Sequence, residues 1–182
     1  LAAGGQCTVA SEGGRLEREL KALGARVVRL PLATKNPITV RLNAGRLRRL
    51  IERREIDLVH ARSRACGWSA YWAAKAAGKP FVTTYHGTYN ARSALKRWYN
   101  SVMARGDRVI ANSEFIKAHI IEEHGVDPGR ITVIPRGVDL KRFDPGSVSR
   151  ERIEAARARW GVTPADRVVL LPARITPWKG HA

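Results

Sequence analysis

Short apolar runs alternate with segments of helical periodicity along the whole chain. This alternation is typical of a parallel sheet covered by helices. Strands are predicted at Cys7–Ala10, Val27–Leu30, Asp57–His60, Phe81–Tyr85, Arg108–Ala111, Ile131–Ile134 and Val168–Leu171. The pattern therefore predicts an α/β fold with a parallel sheet and helices on both faces.

Helical periodicity fills the segments between these strands. Helices are predicted at Gly14–Ala22, Thr39–Arg54, Ala65–Ala77, Arg92–Arg105, Ser113–Glu123 and Ser149–Trp160. A glycine follows four periodic segments, at Gly24, Gly78, Gly106 and Gly125. Each glycine is expected to end its helix in a left-handed backbone conformation.

Glycine and proline cluster between residues 135 and 146, and the alternating pattern then restarts with the strand at Val168–Leu171. This is typical of a domain boundary. We predict a first domain over residues 1–145, and a linker helix with the start of a second domain over residues 146–182. Both ends of the chain are expected to be incomplete, the first strand being absent before residue 1.

The chain is strongly basic, with 33 Lys and Arg against 16 Asp and Glu and a net charge of +17. Such a charge favours nucleic acid, acidic membrane surfaces or phosphorylated substrates as partners. No apolar run approaches the ~20 residues that cross a bilayer, and no leader pattern opens the chain. We expect a cytoplasmic protein, and attachment to the inner face of the cytoplasmic membrane stays open.

The segment 172–180 has the composition of an anion site. Thr176 is placed to cap a helix and Pro177 to begin it, directly after a predicted strand. Free N–H groups at the helix start then face the same point as Arg174 and Lys179. We expect these residues to hold a diphosphate. No metal is expected, because Cys7 and Cys66 lack metal-ligand spacing and no carboxylate pair lies nearby.

Two histidines follow predicted strands and are expected at the carboxyl edge of the sheet, where open α/β folds bind ligands. His86 lies between Tyr85 and Gly87, and it is either a site residue or a hydrogen-bonded structural residue. His60 is followed by Arg62 and Arg64. Those arginines either bind a phosphate of the acceptor or are solvated loop charges.

The helix around residue 47 has an apolar stripe at Val40, Ala44, Leu47 and Ile51, and arginines on another face at Arg46, Arg49 and Arg53. Two interpretations are open. The stripe packs on the core and the basic face is solvated, or the helix docks on anionic lipid headgroups.

Several motifs together resemble the glycosyltransferase group 1 family, also called family 4. They are the loop 133–139 followed by Phe143, the runs 81–87 and 110–113, and Arg174 with Lys179. The resemblance covers nearly the whole chain. It implies a retaining enzyme of the GT-B fold, in which two Rossmann-like domains flank a cleft. The first domain binds the acceptor, and the second binds a nucleotide-sugar donor without a metal.

The resemblance also assigns roles to residues of this chain. Arg174 and Lys179 would hold the donor diphosphate, and His86 would lie at the reacting centre as the catalytic residue. Gly87 and Gly137 would lie on loops near the cleft. Arg136 departs from the family, which often has Asn at this position.

The predicted function is transfer of a sugar from a nucleotide-diphosphate sugar to a sugar or lipid-linked acceptor, in envelope polysaccharide or lipopolysaccharide synthesis. Two alternatives remain: a non-catalytic acceptor-binding module, and a basic nucleic-acid-binding protein. Nucleic acid is not expected as a partner, since no helix-turn-helix, zinc finger or aromatic RNA-binding signature is visible. The family's acidic pair, Glu-x7-Glu, would lie beyond Ala182, so we expect this chain by itself to be inactive.

Overall fold

The computed structural model describes residues 4–89, 93–176 and 179–180. The chain divides into two compact units, Leu1–Arg136 and Gly137–Ala182. The division into domains at residue 145, expected from the sequence, stays a prediction.

The first unit alternates strands and helices in chain order. Its elements are β1 (Thr8–Ser11), α1 (Glu17–Ala22), β2 (Arg26–Arg29), α2 (Pro37–Arg53), β3 (Val59–Ala61), α3 (Arg64–Ala76), β4 (Phe81–Tyr85), α4 (Ala94–Ser101), β5 (Arg108–Ala111), α5 (Glu114–His124) and β6 (Ile131–Val133). Short 3-10 helices cover Val102–Ala104 and Pro128–Arg130. The six strands predicted before residue 140 are confirmed, two of them, β4 and β5, at the predicted bounds.

The strands form two parallel sheets. β1 pairs with β2, and β3, β4, β5 and β6 form a four-stranded sheet in chain order. Consecutive parallel strands need a crossover, which α3, α4 and α5 supply. The α/β fold with parallel sheets and helices on both faces is thus confirmed.

Helix starts follow from side chains that bond the free N–H groups of the first turn. Ser63, Ser93 and Ser113 each accept a backbone N–H at the start of α3, α4 and α5. Asn36 caps α2, accepting from the N–H of Ile38 at 2.9 Å. These caps fix where each helix leaves the sheet, and therefore where the preceding loop lies.

The core lies between the four-stranded sheet and its helices. Phe81, Val102, Met103, Val109 and Ile120 have no exposed surface. The stripe on α2 is buried as well, at Val40, Ala44, Leu47 and Ile51, and α2 packs against α3. The core-facing interpretation of this stripe is therefore correct, and contact of α2 with lipid through its exposed basic face stays a prediction.

Three of the predicted helix-ending glycines are confirmed. Gly24, Gly78 and Gly125 have φ angles of 86°, 63° and 61°. Gly106 does not adopt this conformation, so the prediction there is wrong. A Cβ on Gly106 would clash with the backbone oxygen of Arg108 and lie 2.9 Å from Oγ1 of Thr83. Glycine is needed there because β4 and β5 approach closely where the chain enters β5.

The second unit contains a 3-10 helix at Pro145–Ser147 and the helix α6 (Arg150–Trp160). Ser149 caps α6, and Gly161 ends it with φ 66°. The strand predicted at Val168–Leu171 is wrong, because no strand is described between residues 137 and 176. A strand needs a neighbour for its backbone groups. Without one, Val169 is 98% exposed.

We predict that Gly106→Ala lowers the free energy of unfolding by about 1–3 kcal/mol, because the added methyl group overpacks the entry to β5. Gly45→Ala is the matched control. Gly45 lies in α2 with open space around the Cβ position, so this change should raise stability by about 0.5–1 kcal/mol. Urea denaturation of the 182-residue chain measures both. Equal effects of the two changes would contradict the packing explanation.

Candidate functional site

The carboxyl ends of β3, β4, β5 and β6 lie along one edge of the sheet. Ala61 pairs with Thr83, Tyr85 with Ala111, and Ala111 with Val133. The residues that follow these strands therefore come together at this edge. They are Arg62, Arg64, His86, Asn112 and Arg136, and we call them the edge cluster.

His86 lies at the centre of the edge cluster and is half-buried. Its backbone oxygen accepts a hydrogen bond from Nδ2 of Asn112 at 3.0 Å. Its ring atom Nδ1 lies 3.1 Å from Nη2 of Arg136. The loop after β4 is thus tied to the loops after β5 and β6 by separate contacts, one to its backbone and one to its ring.

The contact with Arg136 determines where the proton of His86 lies. A guanidinium has only hydrogen-bond donors, so Nδ1 must be the acceptor and the neutral ring carries its proton on Nε2. Burial lowers the pKa of His86, and the charges of Arg136 and Arg62 lower it further. The backbone of Arg62 acts in the opposite direction. His86 is therefore stabilised as a neutral imidazole.

His60, the second histidine at this edge, contacts the neighbouring strand β4. Nε2 of His60 lies 2.7 Å from Oγ1 of Thr84, one strand away. Burial lowers the pKa of His60, and Arg62 and His86 add to the effect. The expected position of both histidines at the carboxyl end of the sheet agrees with the structure, while their roles stay predictions.

The two arginines after β3 differ in their surroundings. Arg64 donates to Oδ1 of Asn100 at 2.7 Å and lies 4.1 Å from the ring centre of Tyr89. Arg62 is exposed, and its guanidinium forms no hydrogen bond or ion pair with residues in the described ranges. Arg64 therefore supports the loop, whereas Arg62 is available to a ligand.

Aromatic packing supports the edge from below. Tyr85 is 1% exposed, its ring centre lies 4.5 Å from that of Tyr89, and its hydroxyl lies 3.1 Å from Nε2 of His124. Burial raises the pKa of Tyr85 and lowers that of His124. This packing keeps the end of β4 rigid, which fixes the starting point of the His86 loop.

The opposite edge of the sheet carries a surface pocket lined by Lys75, Lys79 and Asp107. Asp107 there accepts from Nζ of Lys75 and from the N–H of Phe81, both at 2.8 Å. The hydrogen bond from Lys75 and the one from Phe81 lower the pKa of Asp107. The carboxylate is thus used to hold β4 and β5 together, and we do not assign a ligand to this pocket.

The residues expected to bind the diphosphate belong to the second unit. Arg174 and Lys179 are exposed there. The hydroxyl of Thr176 donates to the oxygen of Arg174 at 3.4 Å, and the N–H of Lys179 donates to the oxygen of Thr176 at 3.0 Å. Residues 177 and 178 lie outside the described ranges, so the expected cap by the Thr176 side chain and the expected helix start at Pro177 stay predictions.

Gly87 and Gly137 are the two glycines expected on loops near a cleft. Both have open space where a Cβ would lie, and neither has a positive φ. Gly87 follows His86 directly, whereas Gly137 begins the second unit. Their role at a site stays a prediction.

The sequence did not point to the contacts made by Arg136 and Asn112. In the sequence Arg136 is only a departure from the family pattern, yet its guanidinium contacts the His86 ring. Their positions in the sequence could have indicated these contacts. Asn112 directly follows β5, and Arg136 lies three residues after the end of β6 in the same sheet. In parallel sheets, such positions meet at one edge.

Within the described ranges, no group of three or more His, Cys, Asp and Glu side chains is arranged to hold a metal ion. The expectation that no metal is required stays a prediction. None of the helices in the same ranges is both long and apolar enough to span a bilayer.

Comparison with known proteins gives consistent results. The model of Glycosyltransferase Family 4 matches residues 1–142. The D-inositol 3-phosphate glycosyltransferase of Salinispora arenicola is 30% identical over 136 residues, which cover 68% of this chain and 30% of that protein. The corresponding enzyme of Mycobacterium sp. strain JLS is 33% identical over 140 residues, with the same shares of each chain.

Solved structures show the same fold. A glycosyltransferase from Rickettsia africae has a TM-score of 0.80 and 37% identity, and the match covers 99% of this chain and 48% of that one. Anabaena HepE in complex with UDP-glucose has a TM-score of 0.63 and 20% identity, with 85% and 42% covered. These neighbours confirm the GT-B type of fold. The chain spans about half the length of the solved neighbours and less than a third of the curated relatives.

We predict that this chain becomes less stable as the pH falls from 7.5 to 5.5. His60, His86 and His124 each have a pKa below the ordinary value of 6.5, with burial as the largest cause. The unfolded chain therefore binds more protons than the folded chain just below that value, and stability is lost as the pH falls. Urea denaturation at the two pH values measures the change.

The control for this prediction is a variant with glutamine at all three histidine positions, which should show a smaller loss over the same interval. Stability that is unchanged or higher at pH 5.5 in the unaltered chain would contradict the pKa directions.

Proposed function

Since the chain belongs to Glycosyltransferase Family 4, we propose that it takes part in transferring a sugar from a nucleotide-diphosphate sugar to an acceptor. The observation that carries this proposal is the position of His86. In a chain that matches the family over residues 1–142, His86 lies at the carboxyl edge of the sheet, surrounded by arginines. Open α/β sheets bind ligands at this edge.

In this proposal the two units bind different substrates. The edge cluster of the first unit holds the acceptor, and Arg174 and Lys179 of the second unit hold the donor diphosphate. Departure of a nucleoside diphosphate builds negative charge on its oxygens, and fixed cations stabilise that charge without a metal. Anabaena HepE, whose structure contains UDP-glucose, supports a nucleotide-sugar donor only through its fold.

His86 would act near the reacting sugar as a hydrogen-bond donor. Its Nδ1 accepts from Arg136, so the neutral ring offers the N–H at Nε2. A donor in a half-buried position can hold a hydroxyl of the sugar or the acceptor in place for reaction. Positioning of this kind accounts for a large part of the rate in transfer reactions.

The acceptor would carry an anionic group. Arg62 is exposed, Arg136 contacts the ligand-facing histidine, and the charges that lower the pKa of His86 are both arginines. An anion would relieve this local excess of positive charge. The curated relatives described above are D-inositol 3-phosphate glycosyltransferases, so we propose a phosphorylated polyol or sugar as the acceptor. This favours a small phosphorylated acceptor over a lipopolysaccharide or other envelope precursor.

Exposed apolar residues beside basic ones form a surface that could contact a membrane. Ile38 and Leu42 on α2 are 71% and 57% exposed, and Leu95 and Trp98 on α4 are 74% and 49% exposed. Arginines 46, 49 and 53 line α2. We propose peripheral attachment to anionic lipid on the inner face of the cytoplasmic membrane.

The proposed acceptor site is tested with the whole protein, D-inositol 3-phosphate and a panel of nucleotide-diphosphate sugars. Arg62→Gln should raise the KM for the acceptor by about 10- to 100-fold, because a hydrogen bond to a charged group contributes about 1.5–3 kcal/mol. Arg18→Gln on α1 is the control for loss of one surface charge and should leave KM unchanged. Release of the nucleoside diphosphate is the readout.

Two results would contradict this proposal in different ways. Absence of release with every donor and acceptor tested would reject sugar transfer with this acceptor class. Release that is equally affected by Arg62→Gln and Arg18→Gln would leave transfer intact and reject the role of Arg62.

Membrane attachment is tested by sedimentation with lipid vesicles. Changing Arg46, Arg49 and Arg53 to Gln should weaken binding to phosphatidylglycerol vesicles by about 100-fold, at about 1 kcal/mol per basic residue. The matched control changes Arg152, Arg157 and Arg159 of α6 to Gln, which removes the same charge elsewhere. Equal loss in both variants, or no preference over phosphatidylcholine vesicles, would reject docking through α2.

A further inference from the structure

The loop after β6 and the loop after β4 meet through two side chains, Arg136 and His86. Nη2 of Arg136 lies 3.1 Å from Nδ1 of His86. From this contact we infer that Arg136 is a positioning residue, which fixes the ring of His86 in the neutral form with its proton on Nε2. The role in sugar transfer rests on the proposed function, but the state of the ring does not.

The hydrogen-bonding groups of Arg136 and His86 determine which ring nitrogen carries the proton. Arginine has five N–H donors, no acceptor and a pKa too high for it to lose a proton. The ring nitrogen that faces it must therefore offer a lone pair. With Nδ1 used as an acceptor, Nε2 is the one ring atom that can donate, either to a ligand or to the backbone of Arg62, whose hydrogen bond favours the protonated ring.

The contact fixes the ring rather than the loop. The backbone oxygen of His86 is held independently by Nδ2 of Asn112 at 3.0 Å, from the loop after β5. Removing the Arg136 side chain should therefore release the ring while the loop keeps its place. Arg136 is exposed and lies three residues after Val133, the last residue of β6, so its replacement disturbs no core packing.

The other charged and titratable groups around His86 do not favour a protonated ring. Arg62 follows β3, and its charge opposes protonation of both His60 and His86. His60 on β3 is itself stabilised as a neutral ring. The charges acting on His86 come from Arg136 and Arg62, and no carboxylate is among them. The surroundings therefore agree with the neutral form that the Arg136 contact requires.

One chemical consequence concerns the role of His86. While Arg136 is in place, Nδ1 cannot remove a proton from a substrate hydroxyl, because its lone pair is occupied. The ring can only donate from Nε2, so its partner must be an oxygen that accepts a hydrogen bond. Arg136 would thus select hydrogen-bond donation over general-base chemistry at this position.

The test is nitrogen NMR of the histidine ring in the 182-residue chain labelled with 15N. At pH 7.5 we expect one His86 nitrogen with the shift of a protonated ring atom, Nε2, and one with that of an unprotonated atom, Nδ1. Arg136→Met keeps a long side chain but removes its hydrogen-bond donors. The His86 ring of this variant should show a mixture of tautomers and a higher pKa. Arg136→Lys should restore the single tautomer, since lysine also only donates.

The control is Arg18→Gln, which removes a surface charge on α1 and should change neither the tautomer nor the pKa of His86. A proton on Nδ1 in the unaltered chain would overturn the inference, and so would an unchanged tautomer and pKa in Arg136→Met. Backbone amide spectra show whether each variant keeps its fold, and Arg136→Lys provides a second variant with a conserved charge.

This readout separates the inference from the proposed function. Loss of the single tautomer in Arg136→Met, together with no sugar transfer by the whole protein, would support the positioning role and reject the function. In a protein that does transfer sugar, Arg136→Met should lower kcat/KM by about 100-fold through misplacement of the ring. Arg136→Lys should recover most of that loss.

Discussion

The parallel pairing of β3, β4, β5 and β6 is the constraint on which the rest of the structure depends. Hydrogen bonds between neighbouring strands set the register, so Ala61, Tyr85, Ala111 and Val133 end their strands along one edge. Residues 62, 86, 112 and 136 are far apart in sequence, and this register alone brings them together. A slip of one residue between strands would turn the side chains of the slipped strand to the other face. The packing of Tyr85 beneath the edge and the glycine at position 106, where β4 and β5 approach closely, both serve to hold that register.

Charge gives the edge its chemical character. Its cations are Arg62 and Arg64 after β3 and Arg136 after β6. Burial stabilises His60 and His86 as neutral rings, Arg62 adds to the effect at both, and Arg136 adds to it at His86. Neutral rings can donate one hydrogen bond each without competing with the arginines for an anion. The arrangement therefore fits an acceptor that combines hydroxyl groups with a phosphate, in which the arginines bind the charge and the histidine orients a hydroxyl.

Much of the fold was predictable because local patterns and tertiary structure agree. The strands at Phe81–Tyr85 and Arg108–Ala111 are buried runs between clear turn signals, and both were predicted at their observed bounds. The strand predicted at Val168–Leu171 is not observed, because an apolar run becomes a strand only when a neighbour pairs with it. Gly106 was assigned the wrong role because sequence shows that a glycine is present but not what lies where its Cβ would be. The location of His86 followed from the rule for parallel sheets, whereas its contact with Arg136 depends on a register that no local pattern contains.

The central claim is that the carboxyl edge around His86 is the acceptor site of this family 4 chain. Backbone amide NMR during titration of the 182-residue chain with D-inositol 3-phosphate tests it most directly, since every residue around the edge reports separately. The account predicts that the largest shift changes fall on Arg62, His86, Asn112 and Arg136. Changes centred instead on Lys75, Lys79 and Asp107 at the opposite edge, or no saturable change at all, would contradict it.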